Sequence, residues 1–280
     1  MRRDDFVPVT GWQARLELGF ERRGDRTVLA RRVHDGPLVV QKALHPEGDA
    51  VCHAIVVHPP AGIAGGDQLR LDVNAAAGSH ALLTTPGAGK WYRTAGPAAS
   101  QHVTIDAGDG AVVEWLPQET ILFDGSVADI QWHARLAPAA RLVAWDILCL
   151  GRTGSGERYA RGTARLTTRI ERGGRALWVE RGRLGAGSAA LEAGAGLAGR
   201  TVSGTMLATG GAVDDALLVA CRAERPEEGE GAVTRLPGLF VARYRGDASE
   251  SARNYFAALW RLLRPAVAGR EAVLPRIWRT

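Results

Sequence analysis

Gly78-Ser79-His80-Ala81-Leu82-Leu83 recurs in altered form at two later points in the chain, and this recurrence indicates the fold. The related segments Gly110-Ala111-Val112-Val113 and Ala140-Arg141-Leu142-Val143 also join a small-residue turn to an apolar strand. Positions 82, 112 and 142 align, which gives a repeat of 30 residues both times. Repeats of this length are typical of stacked β-coils, in which each coil buries its neighbour's apolar face. The sequence therefore predicts a mainly β fold of stacked strand-turn-strand coils, similar to a β-solenoid, with a β-sandwich as the alternative.

Strand-like alternation precedes these repeats. One face of a predicted strand carries the apolar side chains of Trp12, Ala14, Leu16, Leu18 and Phe20, while polar residues fill the positions between them. Further strands are predicted at 27–34, 37–42, 51–58 and 68–74, with short turns between them. Because Trp12, Trp115 and Trp145 share strand faces with aliphatic residues, we expect all three indole rings to point into the core.

Two helices are predicted near the carboxyl terminus. The first covers about 214–222, and the second covers about 247–263. In the second, Asp247 would be the N-cap and Glu250 its capping-box partner, and Arg264-Pro265 would end the helix. Its apolar stripe would consist of Ala252, Tyr255, Phe256, Leu259, Trp260 and Leu263.

Length, composition and charge limit the possible classes of protein. A chain of 280 residues that is 46% hydrophobic has room for one large domain, and we expect a single domain over 1–280. The net charge of +5 comes from arginines scattered among acidic residues, without the basic stripe that nucleic-acid binding requires. No run is long enough to span a membrane, and no signal peptide is expected. Three cysteines without a C-x-x-C pair indicate the reducing cytoplasm.

Two motifs of known enzyme classes are incomplete in this chain. Gly87-Ala88-Gly89-Lys90 lacks the first glycine of a phosphate-binding loop, where Thr84 stands, and Trp91 follows the lysine. Gly154-Ser155-Gly156 lacks the glycines that a nucleophile elbow needs two residues either side of its serine. The sequence thus gives no support to nucleotide hydrolysis or serine-based acyl transfer.

Acidic residues in apolar surroundings are the strongest candidates for a site. Asp146 and Glu180 each lie within a run of apolar residues, and Asp67 ends a glycine-rich loop that begins at His58. A buried carboxylate needs a partner, water or a polar channel. Together these four residues offer oxygen and imidazole ligands that suit a borderline divalent metal. The alternatives are ion pairs with arginines such as Arg152 or Arg181, and a structural cap of the loop by Asp67.

Five motifs in the chain resemble those of the urease accessory protein family UreD, also called UreH. They are His58-Pro59-Pro60 with Gly65-Gly66-Asp67, Thr85-Pro86-Gly87-Ala88-Gly89-Lys90-Trp91-Tyr92-Arg93, Glu114-Trp115-Leu116-Pro117-Gln118-Glu119, Leu150-Gly151-Arg152 with Gly156-Glu157, and Leu274-Pro275-Arg276-Ile277-Trp278. Their order matches the family over nearly the whole chain. The chain departs from the usual pattern at Gly89, where a small polar residue is expected, and at Trp91, which is usually phenylalanine.

The resemblance implies a non-catalytic chaperone of urease maturation in the cytoplasm. Members of the family look like scaffolds that join the accessory protein UreF and the GTPase UreG on apo-urease, so that nickel reaches the buried active site. They hold no tightly bound cofactor, and nickel is in transit. By the same resemblance Asp67, Asp146 and Glu180, with His58, are candidate transient ligands along a polar passage.

A carbohydrate-active enzyme with stacked β-coils is the competing interpretation. Two of the carboxylates would then act as acid and base. Such an enzyme requires an open groove lined with exposed aromatic side chains, which the predicted burial of the three tryptophans argues against.

Overall fold

The computed structural model describes residues 11–279, and across this range the chain is built mainly of strands. The seventeen strands in these residues are β1 (Gln13–Arg23), β2 (Arg26–Asp35), β3 (Val39–Leu44), β4 (Cys52–Val57), β5 (Gln68–Ala75), β6 (His80–Thr84), β7 (Gly89–Trp91), β8 (Ala99–Ala107), β9 (Val112–Trp115), β10 (Thr120–Leu122), β11 (Val127–Leu136), β12 (Arg141–Leu150), β13 (Thr163–Arg172), β14 (Arg175–Gly185), β15 (Val202–Thr209), β16 (Glu230–Leu236) and β17 (Leu239–Gly246). The helices in the same range are α1 (Ala189–Glu192), α2 (Asp215–Ala223) and α3 (Ser249–Ala268), with short 3₁₀ turns at Thr153–Ser155 and Arg276–Arg279.

Two sheets form the body of the structure, and the chain passes back and forth between them. Sheet A has the order β14-β13-β11-β8-β5-β1-β2, and sheet B has the order β16-β17-β15-β12-β9-β6-β4-β3. Off this path, β10 pairs with β12, and β7 pairs with β10. The central strands of both sheets are parallel, because successive coils place one strand in each sheet in turn. The predicted mainly β, solenoid-like fold with two helices near the carboxyl terminus is confirmed.

Coil length differs from the uniform repeat of 30 residues that the sequence suggests. In sheet A, Leu71 pairs with Val103, and Val103 pairs with Trp132. The residue number therefore increases by 32 from the first coil to the second and by 29 from the second to the third. Sheet B advances by the same two steps, from His80 to Val112 and then to Arg141. The partner of Leu82 is therefore Glu114, so the predicted alignment of Leu82 with Val112 was wrong by two residues. The predicted alignment of Val112 with Leu142 was wrong by one, because Val112 pairs with Arg141.

A repeated tight turn starts each of these coils. The backbone N–H of Ser79 donates to the carbonyl of Ala76, and Ala111 and Ala140 make the same contact with the residues three positions before them. The turns also stack, since Val112 N–H donates to the Ser79 carbonyl at 2.8 Å. Ser79, Ala111 and Ala140 are fully buried, so only small side chains fit where the turns pack against one another.

Strand β12 divides the core into two parts by the alternation of its side chains. Leu142, Ala144 and Leu148 lie in the cluster between the sheets. Val143 and Trp145 belong to a second cluster, between sheet B and helices α2 and α3. The predicted stripe on α3 is confirmed, because all six of its residues are buried in this second cluster. Trp115 and Trp145 are buried as expected, but Trp12 precedes β1 and is 60% exposed.

Both predicted ends of the last helix were wrong. Asp247 does not cap α3, because its carboxylate accepts hydrogen bonds from Arg200 and from the backbone and hydroxyl of Thr201. At the other end, α3 continues through Pro265 to Ala268. Pro265 faces outward, while Val267 is fully buried, so packing of the last turn outweighs the hydrogen bond that proline cannot donate. No helix in residues 11–279 is long and apolar enough to cross a bilayer.

A buried charge network joins α3 to the coil stack. Arg264 is fully buried and donates to Glu114 at 2.9 Å and to Glu47 at 2.5 Å. The indole of Trp260 donates to Glu114 at 2.6 Å, and His80 lies 2.7 Å from the same carboxylate. Although burial alone would raise the pKa of Glu114, the hydrogen bond and charge of His80 and the charge of Arg264 lower it to about 2. The carboxylate thus stays ionised inside the protein.

Replacing Arg264 by methionine is expected to lower the free energy of unfolding by about 3–5 kcal/mol, because two buried carboxylates lose their cation. Urea denaturation followed by circular dichroism measures this loss. Arg261→Met is the matched control, since Arg261 lies on the exposed side of the same helix. Equal losses in the two variants would show that the network does not carry the stability assigned to it.

Candidate functional site

Two adjoining cavities lie between the sheets. The large cavity has a volume of about 360 Å³ and is lined by strands β4, β5, β8, β9 and β11 and by the loops after β4 and β6. The small cavity, of about 190 Å³, is lined mainly by β12, β13, β14, β15 and β17. Thr120, Ile130, Trp132 and Asp146 line both cavities. Asp146 therefore lies where the two meet, and together they extend across most of the coil stack.

His58 lies in the wall of the large cavity, directly after β4. Its Nε2 atom is buried and has no hydrogen-bond partner among the described residues. Burial lowers the pKa of this imidazole, and the nearby charge of Asp67 only partly opposes the effect. A neutral imidazole with a free nitrogen is the form of histidine that binds a metal ion.

Asp67 has a structural role at the end of the same loop. Its carboxylate accepts hydrogen bonds from the backbone N–H of Trp12 at 2.8 Å and of Ala64 at 2.7 Å. It is 4% exposed and lines neither cavity. The interpretation that Asp67 caps the loop thus matches its contacts, and these hold His58 at the cavity wall.

Glycine is required at two positions in this loop. A side chain at Gly62 would overlap the ring of Tyr92, since an added Cβ would lie 2.2 Å from it. Gly66 has a φ of 90°, which other residues rarely adopt. The loop can therefore follow this tight course only with the glycines that the sequence provides.

Asp146 is the charged residue on the inward face of β12, in line with Ala144 and Leu148. Burial, with a further contribution from the charge of Glu180, raises the pKa of its carboxyl to about 7, although the charge of Arg243 and the Trp132 indole oppose the rise. The indole N–H of Trp132 is buried beside Asp146 and makes no regular hydrogen bond to any described residue. The Asp146 carboxyl and the Trp132 indole N–H are thus incompletely hydrogen-bonded at the junction of the cavities.

Glu180 lies at the outer end of the small cavity and is paired with Arg243. Their charged groups are 2.8 Å apart, and the side chains are 37% and 42% exposed. Arg243 also donates to the hydroxyl of Thr205 at 2.7 Å, and its guanidinium lies 5.5 Å from the centre of the Trp178 ring. Glu180 is thus paired with an arginine, as the alternative interpretation expected, but the partner is Arg243, and Arg152 pairs with Glu157.

The structure thus brings three of the four candidate residues to connected cavity walls. Asp146 and Glu180 share the small cavity, and His58 and Asp146 line the large one. No group of three His, Cys, Asp or Glu side chains within the described residues is arranged to hold a metal ion. Arg243 is the residue that sequence reasoning missed. It is a charged residue in the otherwise apolar start of β17, the same signal that identified Asp146.

Three of the five sequence motifs surround the large cavity. Its wall contains His58 from the first motif, with residues 61–63 between the two halves of that motif. It also contains residues 85–90 from the second motif and Trp115, Pro117 and Gln118 from the third. These segments are distant in sequence, and the stacking of the coils brings them together. The fold and the cavities define the class of the molecule as a two-sheet β-solenoid protein with an imidazole and carboxylates along its interior.

Comparison with known proteins identifies the family. The family model described as UreD urease accessory protein matches residues 13–279. The chain is 61% identical over 270 residues to a urease accessory protein UreD of Azoarcus sp. strain BH72, covering 96% of this chain and 95% of the relative. It is 52% identical over 273 residues to UreD of Dechloromonas aromatica, again covering 96% and 95%. The chain belongs to the UreD family of urease accessory proteins, which supports a role in urease maturation.

Replacing Asp146 by asparagine is expected to stabilise the protein at neutral and higher pH. The folded-state pKa of about 7 lies above the ordinary value of 3.8. Ionisation of Asp146 therefore lowers the free energy of unfolding as the pH rises from about 4 to 7, and the full loss is present above pH 7. The variant should gain up to about 4 kcal/mol of unfolding free energy near pH 8, and the gain should vanish near pH 4. Urea denaturation across this range measures it. Asp25→Asn, at a fully exposed carboxylate, is the control and should show no such trend.

Proposed function

We propose that this chain is a non-catalytic scaffold and chaperone of urease maturation. Together with UreF and the GTPase UreG it binds apo-urease in the cytoplasm and helps to insert nickel into the active site. Neither nucleic acid nor a membrane takes part. Family membership supports the maturation role, and the observation that carries the nickel role is the pair of adjoining cavities with His58, Asp146 and Glu180 in their walls.

Nickel is the cargo of this protein in the proposal, and no cofactor is held tightly. Imidazole nitrogen and carboxylate oxygen both suit a borderline divalent ion. The three side chains are spread along the two cavities, so an ion meets one or two of them at a time. Few ligands per position mean weak binding, and weak binding lets the ion move on to the next position. Asp67 contributes indirectly, by holding the loop that carries His58.

The maturation role is tested by urea hydrolysis. Apo-urease receives nickel, bicarbonate, GTP and the other accessory proteins, with and without this chain. We expect activity to appear at least about tenfold faster when the chain is present. This difference corresponds to a lowering of the activation free energy by only about 1.4 kcal/mol. Equal rates in the two reactions would contradict a role in maturation.

The passage is tested by removing both carboxylates of the small cavity. Asp146→Ala combined with Glu180→Ala should slow nickel-dependent activation at limiting nickel by about tenfold or more, because the ion loses its ligands at that end. The matched control is Asp129→Ala combined with Glu17→Ala. These two carboxylates also lie on strands and pair with arginines, but they line neither cavity. Activation at the wild-type rate by the first double variant would exclude the passage at these positions and leave the scaffold role standing.

A further inference from the structure

Arg243 is a cation in the wall of a cavity that is proposed to conduct a cation. Its guanidinium lines the small cavity together with Asp146 and Glu180 and lies 2.8 Å from Glu180. A divalent ion at Glu180 would meet the positive charge of Arg243 within a few ångströms. Both side chains are partly exposed, so water weakens this repulsion, but at such a distance it still lowers the affinity for a cation. The position of Arg243 therefore needs a physical explanation.

The charge of the small cavity depends on this one residue. With both carboxylates ionised, Asp146, Glu180 and Arg243 together carry a single negative charge, and without Arg243 they would carry two. Two uncompensated carboxylates sharing one cavity would attract a divalent ion more strongly than the same pair does beside Arg243. With the guanidinium present, an ion must first compete for an oxygen of Glu180 that is already in use.

Arg243 has two further contacts that would remain if its ion pair with Glu180 were broken. One of its nitrogens donates to Thr205 at 2.7 Å, and the guanidinium lies over the ring of Trp178. Neither contact uses Glu180, so the arginine can release the carboxylate without losing every partner. Glu180 and Arg243 come from β14 of sheet A and β17 of sheet B, so their ion pair also bridges the two sheets at the outer end of the cavity.

The geometry points to Arg243 as an internal competitor for the divalent ion, which keeps binding at Asp146 and Glu180 weak enough for release. This inference rests on the proposed nickel passage and assigns the residue that sets its affinity. In the protein without a bound ion, the guanidinium of Arg243 is paired with the carboxylate of Glu180. An arriving divalent ion displaces it toward Thr205 and Trp178, and its return to Glu180 favours departure of the ion.

Nickel(II) binding to the full chain, purified without a histidine tag, tests the inference by titration calorimetry. Arg243→Met should bind nickel at least about tenfold more tightly than the wild type. Glu180→Gln should remove this gain, so that Arg243→Met combined with Glu180→Gln binds no more tightly than Glu180→Gln alone. Unchanged affinity in Arg243→Met, or a gain that persists without Glu180, would overturn the inference. Arg243→Gln provides a second variant if the methionine protein does not fold.

Arg245→Met is the matched control. Arg245 lies two residues along the same strand and pairs with Glu230 at the same distance of 2.8 Å, but it lines neither cavity. It should bind nickel as the wild type does, and an equal gain in this control would mean that any loss of positive charge suffices.

Urease activation separates this inference from the proposed function. At saturating nickel Arg243→Met should activate apo-urease several-fold more slowly than the wild type, because release of the ion is slower. If the wild-type chain gave no activation at all, the proposed function would fail, whatever the calorimetry showed. If the wild type activated urease and Arg243→Met matched it in both affinity and rate, only the role of Arg243 would fail.

Discussion

The shared register of the two sheets is the constraint on which the rest of the structure depends. Each coil supplies one strand to sheet A and one to sheet B, and both sheets advance by 32 and then by 29 residues. One sheet cannot slide past the other to close a gap, because the tight turns at Ser79, Ala111 and Ala140 tie every coil to the next. Space left by small or polar inward side chains therefore persists as a cavity. Its walls are largely strands of the two sheets, which hold the lining residues in fixed positions.

Two groups of charges inside this framework show opposite behaviour. Glu114 is in direct contact with Arg264, Trp260 and His80, and these partners lower its pKa to about 2 in spite of complete burial. Asp146 faces the cavities, the neighbouring cation Arg243 pairs with Glu180 instead, and burial together with the charge of Glu180 raises the pKa of Asp146 to about 7. A fully paired carboxylate is typical of a structural contact, whereas a strongly perturbed, incompletely paired one in a cavity is typical of a functional site.

Local sequence patterns predicted the strands, the coil architecture and the stripe on α3, because those features depend on periodicity within one element. The same reasoning selected Asp146 and Glu180, since a charge within an apolar run is visible without any structure. It could not find their partner, because Arg243 lies far along the chain from both residues, and its strand β17 belongs to a different sheet from β14, which carries Glu180. It also misplaced the end of α3 at Pro265, where the burial of Val267 and Arg264 outweighs the local preference of proline. What was missed in each case was a contact between distant parts of the chain.

The two ends of the paired cavities differ in charge, and this difference bears on how an ion would move through them. At one end stands a neutral imidazole, His58, with the exposed cation Lys90 in the same wall. At the other end Glu180 is paired with Arg243, and Asp146 lies between the two ends, where the cavities meet. A divalent ion is therefore attracted more strongly toward the Glu180 end, and it would remain there if both carboxylates were free. In the proposed passage, delivery of the ion requires weak binding at this last position, and the ion pair between Glu180 and Arg243 would weaken it because the ion must compete with Arg243 for the carboxylate.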